Sequence, residues 1–338
     1  MQMQRRRNSA APWIVAGLLA LALVACVVAG AGLMAGWAMT RPGSSHSSAH
    51  RAQDEFPSLR EIWSYGEGDS KVVRIAVEGV IAREAGGGLF GMPVDKIEDI
   101  LSQIRSAGDD DKVRGIILEV DSPGGAITPS DEIYDALLKF KEGSDGRRVV
   151  VFVRDLAASG GYYVSMAADW IVAEPTSVIG SIGVIIQSLN LKGLGEKLGI
   201  ADTTIKSGAN KDLLNPFVDL PPEQRALLQE MIDSMYEHFL AIVQASRKID
   251  EETLRPLADG RIFIAEKAKD LNLIDEIGYW EDAMDAMAEL LDVEGVKVIR
   301  YERQPRFIEW LSSVEGRAPV ADWLRDQARP RFLYLWSP

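Results

Sequence analysis

Between Val72 and Val153 short apolar runs rich in β-branched residues alternate with segments of helical period, and this alternation restricts the chain to few architectures. Val72 to Val80, Val113 to Val120 and Arg148 to Val153 read as strands, while Val94 to Ser106 and Ser130 to Lys141 read as helices. Strands joined by helices predict an α/β domain with a mostly parallel sheet. Gly115-Ile116-Ile117-Leu118 is apolar on both faces, as a strand covered by helices on both sides must be, so it is expected at the centre of the sheet. Further along, Trp170 to Ala173 and Ile182 to Ile186 read as strands, Asn190 to Leu198 as a helix and Thr203 to Lys206 as extended chain. Pro221-Pro222 starts a long helix running to Arg247, and Ala265 to Leu271 and Trp280 to Leu291 are later helices. Leu227, Leu228, Met231, Met235, Phe239 and Ile242 recur at helical spacing in the long helix. That stripe suits core packing first and a subunit interface second.

The N-terminus has a different character. No charged residue occurs from Asn8 to Thr40, and a helix from Trp13 to Trp37 would be ~36 Å long at ~1.5 Å per residue, enough to span a bilayer. Arg5, Arg6 and Arg7 precede it, so the positive-inside rule keeps residues 1–11 in the cytoplasm, places the anchor at residues 12–39 and exports the remainder of the chain. The expected location is the bacterial cytoplasmic membrane, single-pass, with the folded part outside the cytoplasm. Leu23-Val24-Ala25-Cys26 also resembles a lipoprotein cleavage site, but the apolar run continues well past the roughly 7–15 residues of a signal-peptide core, which favours an uncleaved anchor. Residues 40–68 read as a flexible tether, with Arg41 to Asp54 rich in Ser, His, Ala and Pro. The fold is expected to begin near Lys71, giving a domain over residues 69–300 and a C-terminal extension over 301–338.

Charge and residue counts exclude several functions. A formal net charge of −13 with no basic stripe past the N-terminal tip argues against nucleic-acid binding. The single Cys26 excludes an internal disulfide or a cysteine metal cluster, and the histidines have no ligand spacing, so neither metal nor other cofactor is expected.

Two turns at strand ends carry the candidate chemistry. Asp121-Ser122-Pro123-Gly124-Gly125 follows one strand, and Ala158-Ser159-Gly160-Gly161 follows the next. In an open α/β sheet both converge on the carboxyl edge, where ligands bind. Ser159 stands where a nucleophile could, beside glycines that admit a carbonyl and helix N–H groups that could serve an oxyanion, with Gly125 and Gly160 as donors. A serine at a helix N-terminus is also an ordinary cap. His46 and His50 lie in the tether and His238 lies in the long helix, so lysine is the expected base. A lysine can accept a proton only as the neutral amine, and bringing its pKa from about 10.4 to about 7 requires ~4–5 kcal/mol of destabilisation of the ammonium. Lys206 and Lys211 both qualify on residue type.

At this point the sequence resembles the SppA-type signal peptide peptidases, serine peptidases with the fold shared by ClpP protease and the crotonases. The matching segments are Asp121-Ser-Pro-Gly-Gly125, Ala157-Ala-Ser-Gly-Gly-Tyr-Tyr163, Ala168-Asp169 with Ala173-Glu-Pro175, Gly180-Ser-Ile-Gly-Val184 and Lys206-Ser-Gly-Ala-Asn-Lys-Asp212. The resemblance covers roughly Val72 to Gly278. It implies Ser159 as nucleophile, Lys211 as general base and Ser181 as the residue that orients the lysine. It also implies hydrolysis of remnant signal peptides and similar apolar peptides. One copy of the catalytic segment marks the short form, which implies a homo-oligomer of eight subunits with sites shared between neighbours. A crotonase-like acyl-transfer enzyme and a catalytically silent membrane scaffold are the rival readings. Export speaks against the first and the intact Ser159, Ser181 and Lys211 set against the second. The apolar end Phe332-Leu333-Tyr334-Leu335-Trp336 is a packed tail by preference, with a membrane contact or occupancy of a neighbour's groove as alternatives.

Overall fold

The computed structural model describes residues 59–83, 95–303 and 331–335. The expected anchor at residues 12–39 and most of the tether lie outside them. No helix among the described residues is long and apolar enough to cross a membrane.

The strands are β1 (Leu59–Tyr65), β2 (Ser70–Glu78), β3 (Val113–Ser122), β4 (Gly124–Ala126), β5 (Arg148–Ala158), β6 (Trp170–Ala173), β7 (Val178–Gly180), β8 (Ile185–Gln187), β9 (Ile262–Ile264), β10 (Glu276–Ile277), β11 (Val296–Arg303) and β12 (Arg331–Leu335). The helices are α1 (Lys96–Asp109), α2 (Ile127–Glu142), α3 (Gly160–Ser165), α4 (Lys192–Leu198), α5 (Pro222–Arg247), α6 (Glu251–Leu254), α7 (Ala265–Asp270) and α8 (Trp280–Leu290). The main sheet runs β1-β11-β2-β3-β5-β6-β10, and β7 joins the far end of β5 and pairs with β9. β11, β2, β3, β5, β6 and β10 pair in parallel, while β1 and β9 pair antiparallel with their neighbours. This is the mixed α/β architecture with a mostly parallel, helix-flanked sheet that the alternation predicts, and β3 holds the middle position.

Side-chain alternation along the strands divides the core between the two faces. Val73, Ile75, Ile116, Leu118, Val149 and Val151 point into one layer with α1, α2, α3 and part of α5. Val72, Ile117, Val150 and Phe152 point into the other, which α8 covers through Ala283 and Met287. Phe152 meets Trp280 edge-on with ring centroids 5.5 Å apart. Beyond Trp280 this second face turns ionic. Glu119 is buried, accepts from Arg74 Nε at 2.6 Å and pairs with Arg154 at 3.2 Å, and the Arg74 guanidinium stacks 5.1 Å from the Trp280 ring.

Three boundaries differ from expectation. The sheet starts at Leu59 rather than near Lys71, because β1 adds antiparallel to β11 as an edge strand whose Arg60 and Glu61 face solvent. Ile182 to Ile186 is not one strand: β7 ends at Gly180 and β8 begins at Ile185, separated by a turn at the positive-φ Ser181. Thr203 to Lys206 forms no strand.

The stripe on α5 divides along its length. Leu228, Phe239, Leu240 and Val243 are buried, whereas Leu227 and Met231 are 41% and 43% exposed. Deleting a fully packed aromatic costs ~3–5 kcal/mol, and an exposed side chain within about 0.5 kcal/mol. Denaturant unfolding of Phe239→Ala should therefore show a loss of ~3–5 kcal/mol, and Met231→Ala a loss below about 0.5 kcal/mol. Equal losses would contradict this division.

Candidate active site

The site grows out of an irregularity in β5. Val120 pairs with Val153 and Ser122 pairs with Ala157, so three residues of β5 bulge against one of β3. The bulge transfers the end of β5 from β6 to β7, with Ala158 opposite Gly180. Ser159 and Ser181 thus follow paired residues on adjacent parallel strands. The Ser159 N–H donates to Gly180 O at 2.8 Å, and the Ser181 N–H donates to Arg261 O at 2.7 Å.

Both serines stand in backbone conformations that L-residues avoid, with φ of 52° at Ser159 and 51° at Ser181. Such positions cost of order 1–3 kcal/mol and persist where the surroundings enforce them. Ser159 is 1% exposed and Ser181 7% exposed. Ser159 precedes α3, yet its side chain makes no capping hydrogen bond, so the capping role open to it in sequence is not filled. Its hydroxyl is left for another partner.

The helix after it is held from several directions, which explains how six residues stay fixed. Tyr162 OH donates to Leu273 O at 2.8 Å, Tyr163 OH donates to Asp131 at 2.6 Å, and Ser165 Oγ donates to Gly161 O at 2.8 Å. Burial pushes the Tyr162 phenol well above its usual range, so it remains a donor. His238 lies against this region, 3.8 Å from Asp131, with no hydrogen bond to Ser159.

The Asp121 to Gly125 turn approaches from the other side. Ser122 Oγ donates to Gly79 O at 2.7 Å and accepts from Gly124 N–H at 3.1 Å. β4 then bridges Ile81, whose N–H donates to Gly124 O at 2.9 Å and whose carbonyl accepts from Ala126 N–H at 2.7 Å. A Cβ on Gly125 would come 2.1 Å from Ile81 O. A Cβ on Gly160 would come 2.6 Å from Ser130 Oγ and 3.1 Å from Gly125 N. The two candidate oxyanion glycines therefore abut each other, and neither can carry a side chain. No described backbone carbonyl accepts from Gly160 N–H.

Lys211 is not brought to this cluster. It is exposed, its backbone N–H donates to Gly208 O at 3.2 Å, and its ammonium has neither hydrogen bond nor ion pair among the described residues. Lys206 differs: its Nζ pairs with Asp212 at 2.7 Å and donates to Ala209 O at 3.3 Å. That pair holds the Asp212 carboxyl below its usual range. Residue type alone leaves the two lysines equivalent, and in the structure they differ in this ion pair. A cavity of about 450 Å³ adjoins Ser181, lined also by Val184, Ile185, Ile232 and Tyr236. One of about 490 Å³ between α1 and α2 contains none of the site residues. Sequence reading missed Ser130 and Arg261, which support Gly160 and Ser181 through packing and a backbone carbonyl, roles with no residue-type signature. Among the described residues no group of His, Cys, Asp and Glu could hold a metal.

Comparison with known proteins accords with this geometry. The profile of peptidase family S49 matches residues 141–294. A protein of Enterococcus faecium carrying the name signal peptide peptidase SppA is 33% identical over 324 residues, covering 94% of this chain and 90% of the relative. Protease 4 of Salmonella typhi is 32% identical over 225 residues, covering 65% of this chain and 36% of the relative. The chloroplastic serine protease SPPA of Arabidopsis thaliana is 32% identical over 221 residues, covering 64% and 32%. The protein is a serine-type peptidase on an α/β sheet. Within that class it belongs to peptidase family S49, with the SppA-type signal peptide peptidases.

The backbone at Ser159 yields a prediction separate from activity. Glycine relieves a positive φ that alanine cannot, so Ser159→Gly should be more stable than Ser159→Ala by ~1 kcal/mol in chemical denaturation. Equal stabilities would mean the turn is unstrained.

Proposed function

We propose that this protein is a membrane-anchored serine endopeptidase of ClpP/crotonase-like fold in which Ser159 is the nucleophile and Lys211 the general base. The observation that carries the reading is the buried, strained Ser159, whose hydroxyl serves no cap and which lies beside Ser181 and two abutting glycines. Ser159 Oγ attacks the scissile carbonyl carbon while its proton passes to the neutral Lys211 amine. The oxyanion accepts from the Gly125 and Gly160 N–H groups. The C–N bond then breaks, the leaving amine takes the proton from Lys211, and water hydrolyses the acyl-enzyme by the same route in reverse. Ser181 orients the amine, the part played by the carboxylate in a histidine triad.

Lys211 comes from a neighbouring copy in this reading, which makes the enzyme a homo-oligomer with shared sites, of eight subunits in the short form. Exposed apolar side chains in the preceding stretch of chain support this: Ile205 is 97% exposed, and Leu189, Leu194 and Leu198 are exposed, each a side chain that another subunit could cover. Burial there would also desolvate the lysine and favour its neutral form. The substrates are remnant signal peptides and similar apolar peptides, met at the outer surface of the cytoplasmic membrane by a domain tethered there.

Removing a general base lowers rates by about 10²–10⁴-fold. With an apolar fluorogenic peptide, Lys211→Ala should lose at least about 10²-fold in kcat/KM, while Lys206→Ala stays within a few-fold of the parent. Mixing Ser159→Ala with Lys211→Ala protomers should restore part of the activity. A fully active Lys211→Ala protein would overturn the assignment of the base, and mixed oligomers without rescue would place the pair within one subunit.

A further inference from the structure

The bulge that hands β5 from β6 to β7 leaves Arg154 and Asp155 outside every ladder. Pairing with β3 stops at Val153 and resumes at Ala157, pairing with β6 ends at Val153, and pairing with β7 begins at Leu156. Ladder bonds do not fix the course of such a stretch, and a change of register there would move every residue after it. The consequence falls on the site, because the pair Ala158–Gly180 is what sets Ser159 beside Ser181.

A buried side chain ties this stretch down. Ser177 is 0% exposed and stands immediately before β7. Its hydroxyl donates to Arg154 O at 2.6 Å, with Val153 O at 3.1 Å as a longer second acceptor. Val153 O also accepts from Glu174 N–H at 3.0 Å, so the bond to Arg154 is the one that depends on the hydroxyl. The Ser177 backbone is fixed separately: its N–H donates to Glu174 O at 3.0 Å, and its carbonyl accepts from Ala265 N–H at 2.9 Å at the start of α7. β9 holds the other side of β7, and Arg261 O holds the Ser181 N–H. Without the hydroxyl, β7 and Ser181 therefore keep their supports, while the β5 bulge loses its tie to them. A carbonyl left without its donor is unfavourable, and a shift of the bulge relieves it.

We infer that Ser177 is a positioning residue of the peptidase, whose hydroxyl holds the β5 bulge at the register that sets Ser159 against Ser181 and the Gly125–Gly160 pair. The inference rests on the reading of Ser159 as nucleophile. Ser177 acts through the backbone and not on the substrate. Misplacing a reacting group by about 1 Å costs about 10²-fold in rate, so the loss falls on kcat, while KM stays near the parent value.

The test compares Ser177→Ala with Ser102→Ala in the full-length protein. Ser102 is also buried, and its hydroxyl likewise donates to a backbone carbonyl, Asp99 O at 2.8 Å within α1. On the apolar fluorogenic peptide, Ser177→Ala should lower kcat by at least about tenfold with KM within about twofold, and Ser102→Ala should leave both within about twofold. Hydrogen exchange read by mass spectrometry should be at least about tenfold faster at the Ser159 amide in Ser177→Ala and unchanged in Ser102→Ala. Parental kcat or parental exchange at Ser159 in Ser177→Ala, or an equal fall of kcat in both variants, would overturn the inference. Should Ser177→Ala not fold, Ser177→Cys fills nearly the same space with a weaker donor. It should show the same pattern, with kcat down at least about threefold, and an unchanged kcat counts against the inference. Hydrolysis retained by Ser159→Ala would remove the nucleophile assignment alone, since the exchange measurement reads the register without it.

Discussion

The pairing of the end of β5 with β7 is the constraint on which the site depends. It fixes Ser159 through the 2.8 Å bond from its N–H to Gly180 O and sets Ser181 one residue beyond the same pair. A positive φ at a buried serine is unfavourable by itself, of order 1–3 kcal/mol, and nothing in α3 alone would hold it. The β5 bulge, the β7 register and the buried tyrosine anchors of α3 surround that residue on both sides. The turn leaves the Ser159 hydroxyl without the capping bond that a serine before a helix ordinarily makes.

The same edge explains why glycine occurs twice. Gly125 and Gly160 are fixed by the close approach of Ile81 O and Ser130 Oγ, and their contact brings two turns distant in sequence to one point. An oxyanion site of backbone N–H groups demands this closeness, and it needs no charged side chain. The base is the part the single chain leaves open. Lys206 is paired with Asp212 and Lys211 stands on an exposed loop, and neither hydrogen-bonds the serine cluster.

Much of this was legible in the sequence because the signals were local. The start of α5 follows from Pro221-Pro222, and the central place of β3 follows from its two apolar faces. The glycine turns announced the sheet edge. Other parts depend on tertiary partners. β1 carries charged residues typical of an edge strand and has no apolar run. The break between β7 and β8 depends on the conformation of Ser181, which its identity does not reveal. The apolar C-terminal segment reads as a packed tail, but its pairing is decided by two three-residue strands too short to recognise alone.

The most direct test of the central claim is to react the protein with a serine-directed phosphonate and locate the adduct by peptide mass spectrometry. The account predicts one adduct, on Ser159, forming in step with the loss of peptide hydrolysis. An adduct on a different serine, or full loss of hydrolysis with Ser159 unmodified, would contradict it.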